Sequence, residues 1–113
     1  MALTATPRRL VQALLTASMT SRFNNTTGQK QVIKEYCFCN RTTAKHTFSL
    51  AIVPTGETLG DQHYILSDVE LDGNETKWFT EISQVMELND SIYAIASGNV
   101  TLYISAAEFT TVV

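Results

Sequence analysis

Apolar and polar residues alternate in short runs along most of this chain. The clearest block is KQVIKEYCFCNRTTAKHTFSLAIVP, Lys30 to Pro54, in which two β-type runs (Val32 to Cys39 and Thr47 to Val53) flank the turn-prone Asn40-Arg41-Thr42-Thr43-Ala44-Lys45. In the second run Phe48, Leu50 and Ile52 alternate with Thr47, Ser49 and Ala51, so one face is apolar and the other can meet water. That pattern predicts an antiparallel hairpin lying on a core. The first run is apolar on both faces, since Val32, Tyr36 and Phe38 share one with Lys34 while Ile33, Cys37 and Cys39 share the other with Glu35. Such a strand is expected to be covered on both sides, by a facing sheet and by a neighbouring subunit.

Turn signals punctuate the rest. Asn24-Asn25-Thr26-Thr27-Gly28 precedes the block, Pro54-Thr55-Gly56 ends it, and a loop runs on through Gly60 and Asp61 to the short run His63 to Leu66. The turn Leu71-Asp72-Gly73-Asn74-Glu75, with Gly73 expected at positive φ, leads to Trp78, Thr80 and Ile82 on one face against Lys77, Phe79 and Glu81. After Leu88-Asn89-Asp90-Ser91, the runs Ile92 to Ser97 and Val100 to Ser105 are expected to pair through a tight Gly98-Asn99 hairpin. Phe109 to Val113 is β-prone, suited to an edge strand or to exchange with a neighbour. About seven or eight short strands with regularly spaced turns predict an all-β protein, an antiparallel β-sandwich of jelly-roll type.

The N-terminus is the ambiguous part. Residues 1–7 show no period, and Arg8 to Met19 fits either a helix capped by Thr6 and Pro7 or a strand. Arg8 and Arg9 would oppose the dipole of a helix, and Thr16, Thr20 and Ser21 favour extension, so the strand is preferred. The division expected is an arm or docking segment over residues 1–20 and a sandwich over 21–113. Leu10, Val11, Leu14 and Leu15 of the arm, with Phe109 and Val112, are the candidate contact residues, and removing residues 1–16 is expected to leave the sandwich folded.

Composition narrows the class. With 113 residues the chain is one domain, long enough for a core without disulfides. Only 17% of residues are charged, thin cover for a soluble monomer, which points to surface hidden in an assembly. The net charge of −3 and the scatter of Lys and Arg outside Arg8-Arg9 give no stripe for nucleic acid. Cys37 and Cys39 would lie on one strand face about 7 Å apart, too extended to bond each other. Free thiols are expected. No apolar run reaches the roughly 18 residues of a spanning helix. The stretch after Arg8-Arg9 is too short for a secretory or twin-arginine signal, is interrupted by Gln12 and lacks a small-residue cleavage site.

Several constellations have bland readings that outweigh the sharp ones. N-x-S/T starts at Asn24, Asn25, Asn40, Asn74, Asn89 and Asn99, all in expected turns, where Asn and Thr are favoured by local backbone hydrogen bonds rather than as glycan acceptors. Asp68 to Gly73 begins like a calcium loop, but its twelfth position is Phe79. Cys37, Cys39, His46 and His63 could form a zinc site, although C-x-C on a strand is not a zinc knuckle. No nucleophile elbow, phosphate loop or zinc-protease motif is present, so no catalysis, cofactor or metal is expected. Trp78, Tyr36, Tyr64, Tyr93 and Tyr103 could make a sugar platform, though in a small sandwich such residues more often pack the core.

Val32-Ile33-Lys34-Glu35-Tyr36-Cys37-Phe38-Cys39-Asn40, Phe48 to Gly56, Gly73-Asn74-Glu75-Thr76 and Ile92-Tyr93-Ala94-Ile95-Ala96 together resemble a group of small tailed-bacteriophage virion proteins. The shared pattern is a strand ending in C-N, a strand ending in V-P-x-G, an N-E-T turn and a late I-x-A-x-A strand, over about residues 30 to 108. The resemblance implies a non-enzymatic structural part of the particle, a capsid decoration, neck or tail subunit made in the host bacterial cytoplasm. It implies self-association as a trimer or other closed ring and contact with other virion proteins. The alternative it leaves open is a receptor- or carbohydrate-binding module of a tail tip or fibre.

Overall fold

The computed structural model describes the backbone of residues 2–80 and 84–112 and the side chains of 5–80 and 84–109. It is an antiparallel β-sandwich. The strands are β1 (Ala2–Leu15), β2 (Thr20–Asn24), β3 (Lys30–Asn40), β4 (His46–Val53), β5 (Tyr64–Leu71), β6 (Thr76–Phe79), β7 (Gln84–Met86), β8 (Ser91–Ala96) and β9 (Val100–Val112). Sheet A has the order β1-β9-β3-β6, with β7 also on β3, and sheet B the order β2-β8-β4-β5. The expected fold class is the one observed, with two strands much longer than expected: β1 has 14 residues and β9 has 13.

The core forms where alternation survives. Val100, Leu102 and Ile104 of β9 point inward and are wholly buried, facing Phe48, Leu50, Ile92 and Ala94 of sheet B. Phe38 and Phe48 stack with ring centroids 3.8 Å apart, joining the two sheets, and Phe79 meets both edge-on.

Two β-bulges explain why the first run looked apolar on both faces. The β3–β9 register shifts between Ile33 and Glu35, and the β1–β9 register between Arg9 and Val11, on either side of Ser105. Each extra residue changes the phase of its strand. Ile33 and Tyr36 can then both face the core, as can Leu10 and Val11.

That packing removes the expected arm. β1 pairs with β9 from Ala2↔Val112 to Leu15↔Val100, and Leu10, Val11 and Leu15 belong to this domain's own core. Residues 2–15 are a strand of the sandwich rather than a segment outside it.

The expected hairpins are corrected as well. β3 and β4 lie in different sheets, as do β8 and β9. The connections at Asn40 to Lys45 and at Gly98-Asn99 are therefore arches between layers. The reason is visible at Asn40, whose buried Nδ2 donates to the carbonyls of Ala44 at 2.7 Å, Asp72 at 3.1 Å and Leu71 at 3.3 Å, while its Oδ1 accepts from Thr42 N at 3.0 Å. One amide thus satisfies the carbonyls that an arch, unlike a hairpin, leaves without ladder partners.

The same corner recurs at Asn25 between β2 and β3. Its Nδ2 donates to Gln29 O at 2.8 Å, Glu87 O at 3.1 Å and Met86 O at 3.4 Å, and its Oδ1 accepts from Thr27 Oγ1 at 2.7 Å. The turns that cradle the two corners match too. Asn74 and Asn89 take φ of 60° and 65°, and the carboxylates of Glu75 and Asp90 each accept the backbone N–H three residues earlier. Four of the N-x-S/T asparagines, Asn25, Asn40, Asn74 and Asn89, are thus corner residues. Gly73 does not have the expected positive φ; Asn74 does, and Gly73 is needed because a Cβ there would collide with the backbone of Thr43.

Candidate functional site

The outer face of sheet A carries the exposed apolar surface. Because β3, β6, β7 and β9 alternate against the core, Cys37, Cys39, Trp78, Val85, Tyr103 and Ala107 all point outward. Leu14 does the same from β1. The exposed large hydrophobics among the described residues are Leu14 at 53%, Trp78 at 60%, Val85 at 52% and Leu88 at 46%, three on this face and Leu88 in the turn beside it. Register places them in rows across the strands: Gln12, Tyr103, Cys37 and Trp78 in one, Pro7, Ala107, Val32 and Val85 in another.

Between those rows lies a basic depression of about 390 Å³, lined by Pro7, Arg8, Arg9, Lys34, Tyr103 and Ser105 among others. The twin bulges produce it by aiming Lys34 and Arg9 to either side of Ser105. Arg9 Nη1 donates to Gln12 Oε1 at 2.9 Å, whereas Arg8 turns to the core side and pairs with the nearly buried Glu108 at 2.7 Å. Lys34 has no hydrogen-bond or ion-pair partner among the described residues.

Of the candidate contact residues, Leu10, Val11 and Leu15 are core and cannot meet a partner; Leu14 is on the exposed face. Phe109 is half-buried and lines a groove of about 650 Å³ with Val32, Val85 and Leu88, edged by the Lys30–Glu87 pair at 3.5 Å. The side chain of Val112 lies outside the described residues. Val85, Leu88, Arg9 and Lys34 were missed by the sequence reading. The one available signal was the mixed apolar and charged character of the first run.

The outer face of sheet B differs. Of Thr47, Ser49 and Ala51, expected to meet water, Ser49 and Ala51 are buried, as is Val53 on the same face. Beside them a groove of about 460 Å³ is lined by Ser49, Asp61, Tyr64, Ser67, Asp68 and Ile95. Ser49 Oγ accepts the N–H of Asp68 at 2.9 Å, holding a residue with φ of 47° at a bulge of β5. Neither the Asp61 nor the Asp68 carboxylate has an ion-pair or hydrogen-bond partner among the described residues.

The chemical candidates do not converge. Cys37 and Cys39 lie on sheet A, whereas His46 bonds Ser97 at 3.0 Å and His63 sits in the β4–β5 connection. His63 Nδ1 accepts the Gly60 N–H and its Nε2 meets Glu57 Oε1, both at 2.9 Å, so both ring nitrogens are occupied. Burial first, then the nearby Cys39 and Glu35, push the Cys37 thiol up, which keeps it protonated rather than nucleophilic. The aromatic set is divided: Tyr36 is core, Tyr64 and Tyr93 belong to the sheet B side, and Trp78 and Tyr103 share the open face of sheet A.

No protein-family model matches the sequence, and no curated protein matches it significantly. The geometry of the two faces therefore carries the functional argument.

Proposed function

We propose that this chain is a non-enzymatic structural subunit of a tailed-phage virion, a self-associating β-sandwich attached to the capsid, neck or tail after synthesis in the bacterial cytoplasm. The observation that supports an assembly role is that Leu14, Trp78 and Val85, three of the four exposed large hydrophobics among the described residues, lie on one open sheet face, with Leu88 beside it. They stand on three different strands, so the face offers separate apolar points rather than one continuous patch, and a partner laid across it would cover all of them. The resemblance over residues 30 to 108 supplies the virion context.

The test is cosedimentation of the purified protein with tailed-phage particles. Wild type is expected to pellet with them and Val85→Asp, which charges the face without touching the core, to stay in the supernatant. Wild type that stays behind across a wide concentration range sinks the proposal.

Trp78 favours a second reading. An indole 60% exposed on an open sheet face, two strands from Tyr103, suits the faces of sugar rings. A carbohydrate-binding module of a tail tip would show glycan-dependent changes in tryptophan emission that Trp78→Ala removes while its melting temperature is kept.

A further inference from the structure

We propose that copies of this chain stack head to tail, the outer face of sheet A of one docking on the outer face of sheet B of the next. The inference rests on the assembly reading and gives it a partner surface, a second copy of the chain, and a geometry. Its basis is charge complementarity between opposite faces of one sandwich. Sheet A presents Arg9 and Lys34 around Ser105, and sheet B presents Asp61 and Asp68 around Ser49. Lys34, Asp61 and Asp68 have no partner within the described part of the chain, as is also true of Glu35 and Arg41, whereas Lys45 pairs with Glu70 at 3.2 Å and Lys30 with Glu87 at 3.5 Å.

The alternative, sheet A against sheet A about a two-fold axis through this depression, would set Arg9 and Lys34 of both copies against each other, with Glu35 the carboxylate nearest them in register among the described residues. Like charges so placed oppose docking. Head-to-tail contact puts the cations over the carboxylates and lays the Trp78 and Val85 surface on that of Tyr64 and Ile95. A heterologous contact between opposite faces of one sandwich propagates as an open stack, and gives a ring only where an added rotation closes it.

The available area makes each contact weak. The strands of sheet B, with 5, 6, 8 and 8 residues, span at most about 430 Å² at a spacing of about 4.8 Å, and Ser49, Ala51 and Val53 on that face are already buried within the chain. The pair of faces would bury less than about 900 Å², the size of a transient contact. Each contact is then modest, concentration-dependent and sensitive to salt.

The experiment is native mass by light scattering for wild type and three variants of the full chain. Arg9→Glu/Lys34→Glu reverses the first face; Asp61→Lys/Asp68→Asn changes the second, with Asn chosen because it tolerates the positive φ of Asp68. The third variant carries all four substitutions. Wild type is expected to form oligomers that dissociate in high salt, each face variant alone to be monomeric and to melt where wild type dissociated by salt melts, and the two mixed together to assemble. The fourfold variant is expected to assemble by itself, because its faces are reversed yet still complementary, which separates head-to-tail stacking from contact between like faces. Monomeric wild type at every concentration overturns the stacking, and particle cosedimentation then tests the assembly role on its own. Oligomers indifferent to all four charges also overturn it while leaving self-assembly intact. A face variant that melts early is replaced by Lys34→Gln or Asp61→Asn, each expected to weaken assembly by severalfold.

Discussion

Tyr36 is the most informative single side chain in the core. It is fully buried, and its hydroxyl has no hydrogen-bond partner among the described residues. A buried donor left unpaired costs about 1–3 kcal/mol. Tyr36→Phe is therefore expected to raise stability in chemical denaturation, or leave it unchanged, where removal of a useful hydroxyl would lower it. Burial also holds the phenol proton in the folded state far more tightly than in the unfolded chain, where it leaves near the ordinary value of 10.0. With the folded value raised, stability is complete below that pH and falls as pH rises above it. Thermal melts from pH 8 to 11 should show this alkaline loss in wild type and a shallower one in Tyr36→Phe; identical slopes would assign the loss to other groups. Asn40 is the polar counterpart. Asn40→Asp sets carboxylate oxygen against the carbonyls of Ala44, Leu71 and Asp72, and is expected to cost about 3–5 kcal/mol, more than Asn40→Ala.

Among the elements, β1 has the sharpest consequence. Leu10, Val11 and Leu15 each contribute about 1.5–3 kcal/mol by burial, and their sum approaches the whole stability of a typical domain, about 5–15 kcal/mol. Deleting residues 1–16 should therefore unfold the protein, seen as loss of the cooperative melt, whereas deletion of a separable arm would leave that melt in place. The strand preferred from Arg8 onward is present as far as Leu15, but the bulge between Arg9 and Val11 breaks its alternation, and that hid the inward direction of both Leu10 and Val11. The bulge between Ile33 and Glu35 hid the inward direction of Tyr36 and Phe38 in the same way. Unbulged β9 was legible, with Val100, Leu102 and Ile104 all inward. Strand existence followed from alternation and turn residues, but the sheet to which a strand belongs did not. Asn40-Arg41-Thr42-Thr43 suits a hairpin and an arch equally until the third-party carbonyls of Leu71 and Asp72 are in place. The candidate faces were illegible for a related reason: Arg9 comes to line one depression with Lys34, and Asp61 one groove with Asp68, only through strand order, bulges and the β4–β5 connection.

At the scale of the whole molecule, the chain closes its larger sheet by pairing its first strand with its last. Ala2 lies opposite Val112, and β9 is also the strand on which β3 is laid. Chain entropy makes such closure slow, because nearly the full length must be ordered before the β1–β9 ladder stabilises anything. Moving β1 behind β9, by a short linker from Val112 to Ala2 and new ends in the turn between Leu15 and Thr20, turns that ladder into a local hairpin without changing a core contact. If β1–β9 pairing forms in the folding transition state, stopped-flow refolding of this permutant should be at least severalfold faster than wild type, with a similar unfolding rate. Equal folding rates would mean that β9 docks first on β3 and that β1 joins after the barrier. Leu10, Val11 and Leu15 would then slow unfolding rather than speed folding, and truncating any of them to Ala would change the unfolding arm of the chevron alone.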